Sequence, residues 1–128
     1  MKKLLLTATL LLLPITSFAS GPYDGVYSMN LNGFIINYIS IHENENNMVA
    51  IIIESDPNDA TWEALNGIRT NNTAGLRSIL GTVDLDVNVT FNNDGTASAL
   101  VNSCIGECDL PDGSVLSNGS VLDFVKVF

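Results

Sequence analysis

The chain has 128 residues, fourteen of them Asp or Glu and only five Lys or Arg, for a net charge of −9. Such a surface repels polyanions, because each phosphate contact needs a cation, so nucleic acid and anionic lipid headgroups are excluded as partners. The length suits one domain around one core.

Residues 1–19 read as a secretory leader. Lys2 and Lys3 open it, Leu4 to Leu13 is a nearly unbroken apolar run, and Pro14 ends it. Ser17-Phe18-Ala19 then supplies small residues ahead of a cut between Ala19 and Ser20. The apolar run is short for a membrane span, so no stable membrane anchor is expected and residues 20–128 should reach the periplasm or be secreted. Without Lys2 and Lys3, three cations (Arg69, Arg77, Lys126) face fourteen carboxylates, a net charge of −11.

The rest alternates between β-branched or aromatic runs and Asn, Asp and Gly breaks. Gly25 to Asn32 puts Tyr27, Met29 and Leu31 on one face. Asn32-Gly33 is a two-residue hairpin signal, since both residues accept positive φ. Phe34 to His42 is the next strand, Glu43 to Asn47 a polar loop, and Met48 to Glu54 a third strand. The run Met48-Val49-Ala50-Ile51-Ile52-Ile53 is apolar on both faces and asks for a central, doubly covered position. Beyond the break at Ser55 to Asp59, Asp56 as cap and Pro57 at the first position would start a helix running through Trp62 to Asn66-Gly67. Ala60 to Arg69 would also make a strand, with Trp62 and Ala64 on one face, and the strand is preferred because its neighbours are strands.

Arg69 to Gly75 reads as a turn on Asn71-Asn72-Thr73, and Leu76 to Leu80 as a short strand. Val83, Leu85, Val87, Val89 and Phe91 alternate without fault with Asp84, Asp86, Asn88 and Thr90. After the turn at Asn92 to Gly95, Thr96 to Cys104 returns with Ala97 and Ala99, small enough to sit opposite large residues. Asp109 to Gly113 turns again, and Val115 to Phe128 reads as a hairpin about Asn118-Gly119. About eight short strands joined by tight turns make an all-β antiparallel meander. A small barrel is preferred over a sandwich, because successive hairpins leave no room for long crossovers.

Cys104 and Cys108 are expected to form a disulfide in an oxidising compartment. A loop this small is worth about 2 kcal/mol in the chain-entropy model and fixes one local turn. Zinc would need about four ligands, and His42 is the sole histidine. No metal or cofactor is expected, and no catalytic residue is assigned. His42 ends a strand beside a solvated loop, where a surface position is the simpler reading. Asp84 and Asp86 have glycosidase-like spacing but alternate with an apolar face, as the wet side of a sheet would. Asp56, Asn58 and Asp59, then Asn92, Asn93 and Asp94, then Asp109 and Asp112, offer hard oxygens for calcium, but in turn-forming positions and without a twelve-residue calcium loop. Phe128 raises an outer-membrane barrel, whose last strand would carry Leu122, Phe124 and Phe128 in phase. Lys126 interrupts that row, and several strands are short for a span.

The segment Trp62-Glu63-Ala64-Leu65-Asn66-Gly67, with Asn72-Thr73-Ala74, the Val83 to Phe91 strand, Asn93-Asp94-Gly95-Thr96-Ala97 and the late cysteine pair, looks like small exported β proteins of Gram-negative bacteria. That resemblance implies an exported all-β fold and carries no catalytic residues. In layout the chain is also similar to calycin-type barrels that hold small apolar ligands, with Gly25-Val26-Tyr27 where those barrels have glycine-x-tryptophan. The expected function is a non-enzymatic module holding a small apolar ligand inside, lined by Tyr27, Tyr38, Trp62 and Phe91. The alternative is a surface interaction, assembly or calcium-binding module that works through acidic loops and sheet edges.

Overall fold

In a computed structural model, which describes residues 21–31, 34–54, 61–110 and 112–128, eight antiparallel strands follow one another around a closed barrel. They are β1 (Gly25–Leu31), β2 (Phe34–Asn44), β3 (Asn47–Glu54), β4 (Trp62–Thr70), β5 (Thr73–Leu80), β6 (Val83–Phe91), β7 (Thr96–Gly106) and β8 (Val121–Lys126). Each strand pairs with its neighbours in sequence, and β8 returns to β1, with Met29 opposite Phe124. Closure leaves no free edge. The expected leader at 1–19, the expected turn at Asn32-Gly33, the expected break at 55–59 and Pro111 lie outside the described residues.

Eight strands make an interior just wide enough for side chains to fill. The alternation of β6 supplies one wall, with Leu85, Val87, Val89 and Phe91 all buried. Ala97 lies between Phe91 and Phe124, and Ala99 between Val89 and Leu122, so two alanines on β7 accept the bulk of both neighbouring strands. Tyr27, Met29, Ile36, Ile39, Ile41, Met48, Ala50, Leu65, Ala74, Leu76 and Val101 complete the core. Bulges leave Ile36, Ile79 and Asn102 as extra residues in the β1–β2, β4–β5 and β6–β7 pairs. Such bulges bend strands and help a sheet to close.

Four local expectations change. The loop read at Glu43 to Asn47 shrinks to a turn of Glu45 and Asn46, because β2 runs on through Glu43 and Glu45 takes positive φ (57°). The turn read at Arg69 to Gly75 likewise shrinks to Asn71-Asn72. The apolar run of β3 is covered on one side only: Met48 and Ala50 are buried, whereas Ile53 is 46% exposed. A single closed sheet has one covered face, so Val49, Ile51 and Ile53 belong to the outer wall. The late hairpin about Asn118-Gly119 is replaced by a bridge between Asp109 and Val115, while Ser117 to Ser120 is a simple turn leading into β8.

Candidate functional site

Of the four residues proposed to line a ligand chamber, the fold brings two inside. Tyr27 and Phe91 are 2% and 1% exposed, their rings 6.0 Å apart. Tyr38 and Trp62 are 39% and 53% exposed. Tyr38 alternates with the inward Asn37 and Ile39, and Trp62 lies directly across from Ile53 on the outer wall. The interior retains a wholly apolar cavity of about 40 Å³ between Tyr27, Ile39, Leu65, Val87 and Phe124. An engineered cavity that takes benzene measures roughly 150 Å³.

Both mouths of the barrel are covered. At the mouth where β1 begins, the segment ahead of β1 folds over the opening. Tyr23 stacks on Phe91 at 4.5 Å, and the Arg69 guanidinium lies 5.5 Å from the Tyr23 ring centre. Glu43 locks this lid. Its Oε2 accepts from Arg69 Nε at 2.8 Å and its Oε1 from the Tyr23 amide at 2.9 Å, while its own amide donates to Asp24 Oδ1 at 2.5 Å. The Glu43 side chain is 1% exposed and that of Arg69 16%. A carboxylate so buried persists because a cation and an amide donor replace its lost water. The Tyr27 hydroxyl donates to the Tyr23 carbonyl at 3.0 Å. Burial, reinforced by the negative charge of Glu43 and by Tyr23 and Asp24, pushes the Tyr27 phenol up to about 12. Lys126, expected to interrupt a lipid-facing row, instead sits on the inward side of β8 with its ammonium 5.9 Å from the Tyr27 ring centre. The row containing Phe124 therefore faces the core, and the interior it enters is apolar, where outer-membrane barrels are polar.

At the opposite mouth the chain between β7 and β8 makes the cover. Cys104 and Cys108 are disulfide-bonded, which draws Cys108 to 7% exposure. Leu110 and Leu116 pack against the core from that loop. Beneath it lies a second cavity of about 80 Å³, lined by both polar and apolar side chains. Glu63 reaches it from β4, its Oε1 accepting from the Thr82 amide at 2.7 Å and the Thr82 hydroxyl at 2.9 Å. Asn37 reaches it from β2. Asn37 Oδ1 and Glu63 Oε2 are buried acceptors that meet no donor.

The outer wall divides by polarity. Along β6, Asp84, Asp86 and Asn88 point outward; Arg77 stands 3.9 Å from Asp84 and 4.0 Å from Asp86, and Asn102 donates to Asp86 at 2.7 Å. These carboxylates work as a polar ladder over the sheet. Across β2–β4 the outward positions are Tyr38, Ser40, His42, Val49, Ile51, Ile53, Trp62, Ala64, Asn66 and Ile68, with no carboxylate among them. Ser40 Oγ and His42 Nε2 are 3.0 Å apart and exposed on this convex wall. Among the described residues no carboxylate bonds to that imidazole to orient it, as one would in a nucleophilic triad.

The acidic turns are occupied by their own backbones. Asp94 Oδ1 accepts from the Thr96 hydroxyl and amide at 2.7 and 2.9 Å, and Asp112 Oδ1 from the Ser114 hydroxyl and amide at 2.6 and 2.9 Å. These bonds hold both carboxyls below the usual range. Asp94 lies at the β1-start mouth and Asp109 and Asp112 at the other, so these loops do not converge. Among the described residues no three His, Cys, Asp or Glu side chains are grouped to hold a metal, and no helix is long and apolar enough to cross a membrane.

No family model, curated protein or solved structure matches this chain. Sequence reasoning passed over Glu43, Arg69, Asn37 and Glu63. Each stands at an inward position near a barrel mouth. Extending the inward alternation Ile39, Ile41 by two residues would have reached Glu43.

Proposed function

We propose that the protein is an exported, non-enzymatic interaction module whose contact surface is the carboxylate-free outer wall of β2–β4. One observation carries this reading: in a chain with fourteen acidic residues, three adjacent strands present Tyr38, Ile53 and Trp62 side by side with no outward carboxylate. Interface centres are depleted of charge and enriched in Tyr and Trp, and truncation of such aromatics tends to cost the most affinity. The interior counts against a chamber for a lipid or pigment, because 40 Å³ is too little room and both mouths are covered.

The partner is a protein of net positive charge with an apolar anchor. A net charge of −11 over residues 20–128 steers a basic protein toward the barrel and repels a second copy. The test places a photoreactive benzoylphenylalanine at position 62, or at position 88 on the acidic wall, in the cells that make the protein. A cross-link from position 62 alone, to a protein that mass spectrometry identifies as basic, is expected. No adduct from position 62, equal adducts from both positions, or an adduct between two copies of this chain overturns the proposal.

A further inference from the structure

The cavity at the disulfide mouth has chemistry that the outer-wall reading does not use. Its polar lining is rich in carboxylates. Asn37, Glu54, Glu63, Glu107 and Asp109 contribute to it beside the hydroxyls of Thr61 and Thr82, and among the described residues no lysine, arginine or histidine does. Asn37 is nine-tenths buried, with 9% of its surface exposed, and its Oδ1 meets no donor. Glu63 Oε2 is likewise buried without a partner. A buried acceptor left unmade is costly, and more so when it carries charge. The cavity is thus short of a donor, and of a positive one.

We propose that this cavity binds a protonated primary alkylamine. An ammonium group is a compact cation with three donors and no acceptor, which complements an amide oxygen and carboxylates that approach from different strands. A directly coordinated metal fits less well, since hard divalent cations need six or more convergent oxygens and the described carboxylates form no such group. The alkyl portion meets Ile52, Leu110 and Leu116, which line the same space. At about 80 Å³ the cavity admits a chain of a few carbons and excludes a lipid. Across the sheet, Asn37 pairs with Glu54, so the amide and one carboxylate approach the ligand from adjacent strands.

Trp62, half exposed on the outer wall, also borders this cavity, and as the sole tryptophan it reports on occupancy. The experiment titrates the whole protein at neutral pH with propylamine and, separately, with propanol, which has the same heavy-atom count but no charge. Trp62 emission and the Asn37 side-chain amide resonance are both recorded. Propylamine is expected to shift both signals saturably in the millimolar range, and propanol to shift neither. Glu63→Gln should weaken binding roughly tenfold, the effect of losing one charge-assisted hydrogen bond. Because Glu63 also holds Thr82, Glu54→Gln, whose carboxylate makes no such bond to the β5–β6 turn, provides the second variant and should weaken binding in the same direction. Two results overturn the proposal: no saturable shift with propylamine, as a cavity holding water alone would give, or matching curves for amine and alcohol. Unchanged affinity in Glu54→Gln, with the fold intact by circular dichroism, overturns it as well. The cross-linking result at position 62 is independent of these signals.

Discussion

Tyr27 carries the clearest titration signature of any single side chain here. Its phenol is raised from 10.0 to about 12, first by burial and then by the charges of Glu43, Tyr23 and Asp24. The folded state therefore holds this proton more tightly than the unfolded chain. The linked stability is fully present below pH 10 and is lost as pH climbs from about 10 through 12. Denaturant midpoints measured across that window should fall in the wild type and fall less in Tyr27→Phe. The variant starts lower, because it gives up the bond to the Tyr23 carbonyl. An equal alkaline decline in both proteins would show that Tyr27 is not the responsible group. The neighbouring Glu43–Arg69 pair shows why this mouth was hard to read in advance. Glu43 stands in an Asn- and Glu-rich stretch that looks solvated, and its cation is 26 positions away on β4. Nothing local distinguishes it from an exposed turn residue.

At the level of the strand pair, β4 and β5 approach so closely at Gly67 that the two backbones are in contact. A Cβ at Gly67 would lie 1.7 Å from the Gly75 carbonyl oxygen, whereas a Cβ at Gly75 would find nothing nearer than Asn88 Oδ1 at 3.5 Å. Gly67→Ala must therefore push backbone apart and is expected to lower stability by about 2 kcal/mol or more, in the range of overpacked cores. Gly75→Ala should stay within about 1 kcal/mol of the wild type, since a strand glycine gains from a side chain where there is room. Denaturant unfolding of the two variants decides this, and equal losses would contradict the geometry. Strands themselves were legible. The fault-free alternation of Val83 to Phe91 maps onto β6, and Ala97 and Ala99 meet the large partners expected of them. The strand reading of Ala60 to Arg69 agrees with β4, displaced by a residue or two. Tyr38 and Trp62 were harder to place. A period of two tells which residues share a face but not which face is the inside, and the occurrence of aromatics on alternating strands does not decide it. Ile36 sits at a bulge that only the β1–β2 register reveals. The loop after Cys108 was misread because its bridge joins Asp109 to Val115, leaving Asn118-Gly119 as a simple turn.

For the whole molecule, closure of the meander was predictable from strand count and short connections, but the distribution of charge over the barrel was not. That distribution depends on register, which puts Asp84 and Asp86 on one wall and leaves Tyr38, Ile53 and Trp62 together on another. It has a consequence for self-association. At neutral pH the shared negative charge keeps copies apart; near pH 4, close to the pI ≈ 4.1 of the full 128-residue chain, most of that repulsion is gone while the apolar wall remains. Sedimentation should find a monomer at pH 7 and association near pH 4, reversible while circular dichroism still reports the sheet. Ile53→Lys and Asn88→Lys add the same charge, one on the apolar wall and one on β6. If that wall drives association, Ile53→Lys suppresses it and Asn88→Lys leaves most of it in place. Equal suppression by the two lysines would trace the association to net charge alone and remove the wall's special standing.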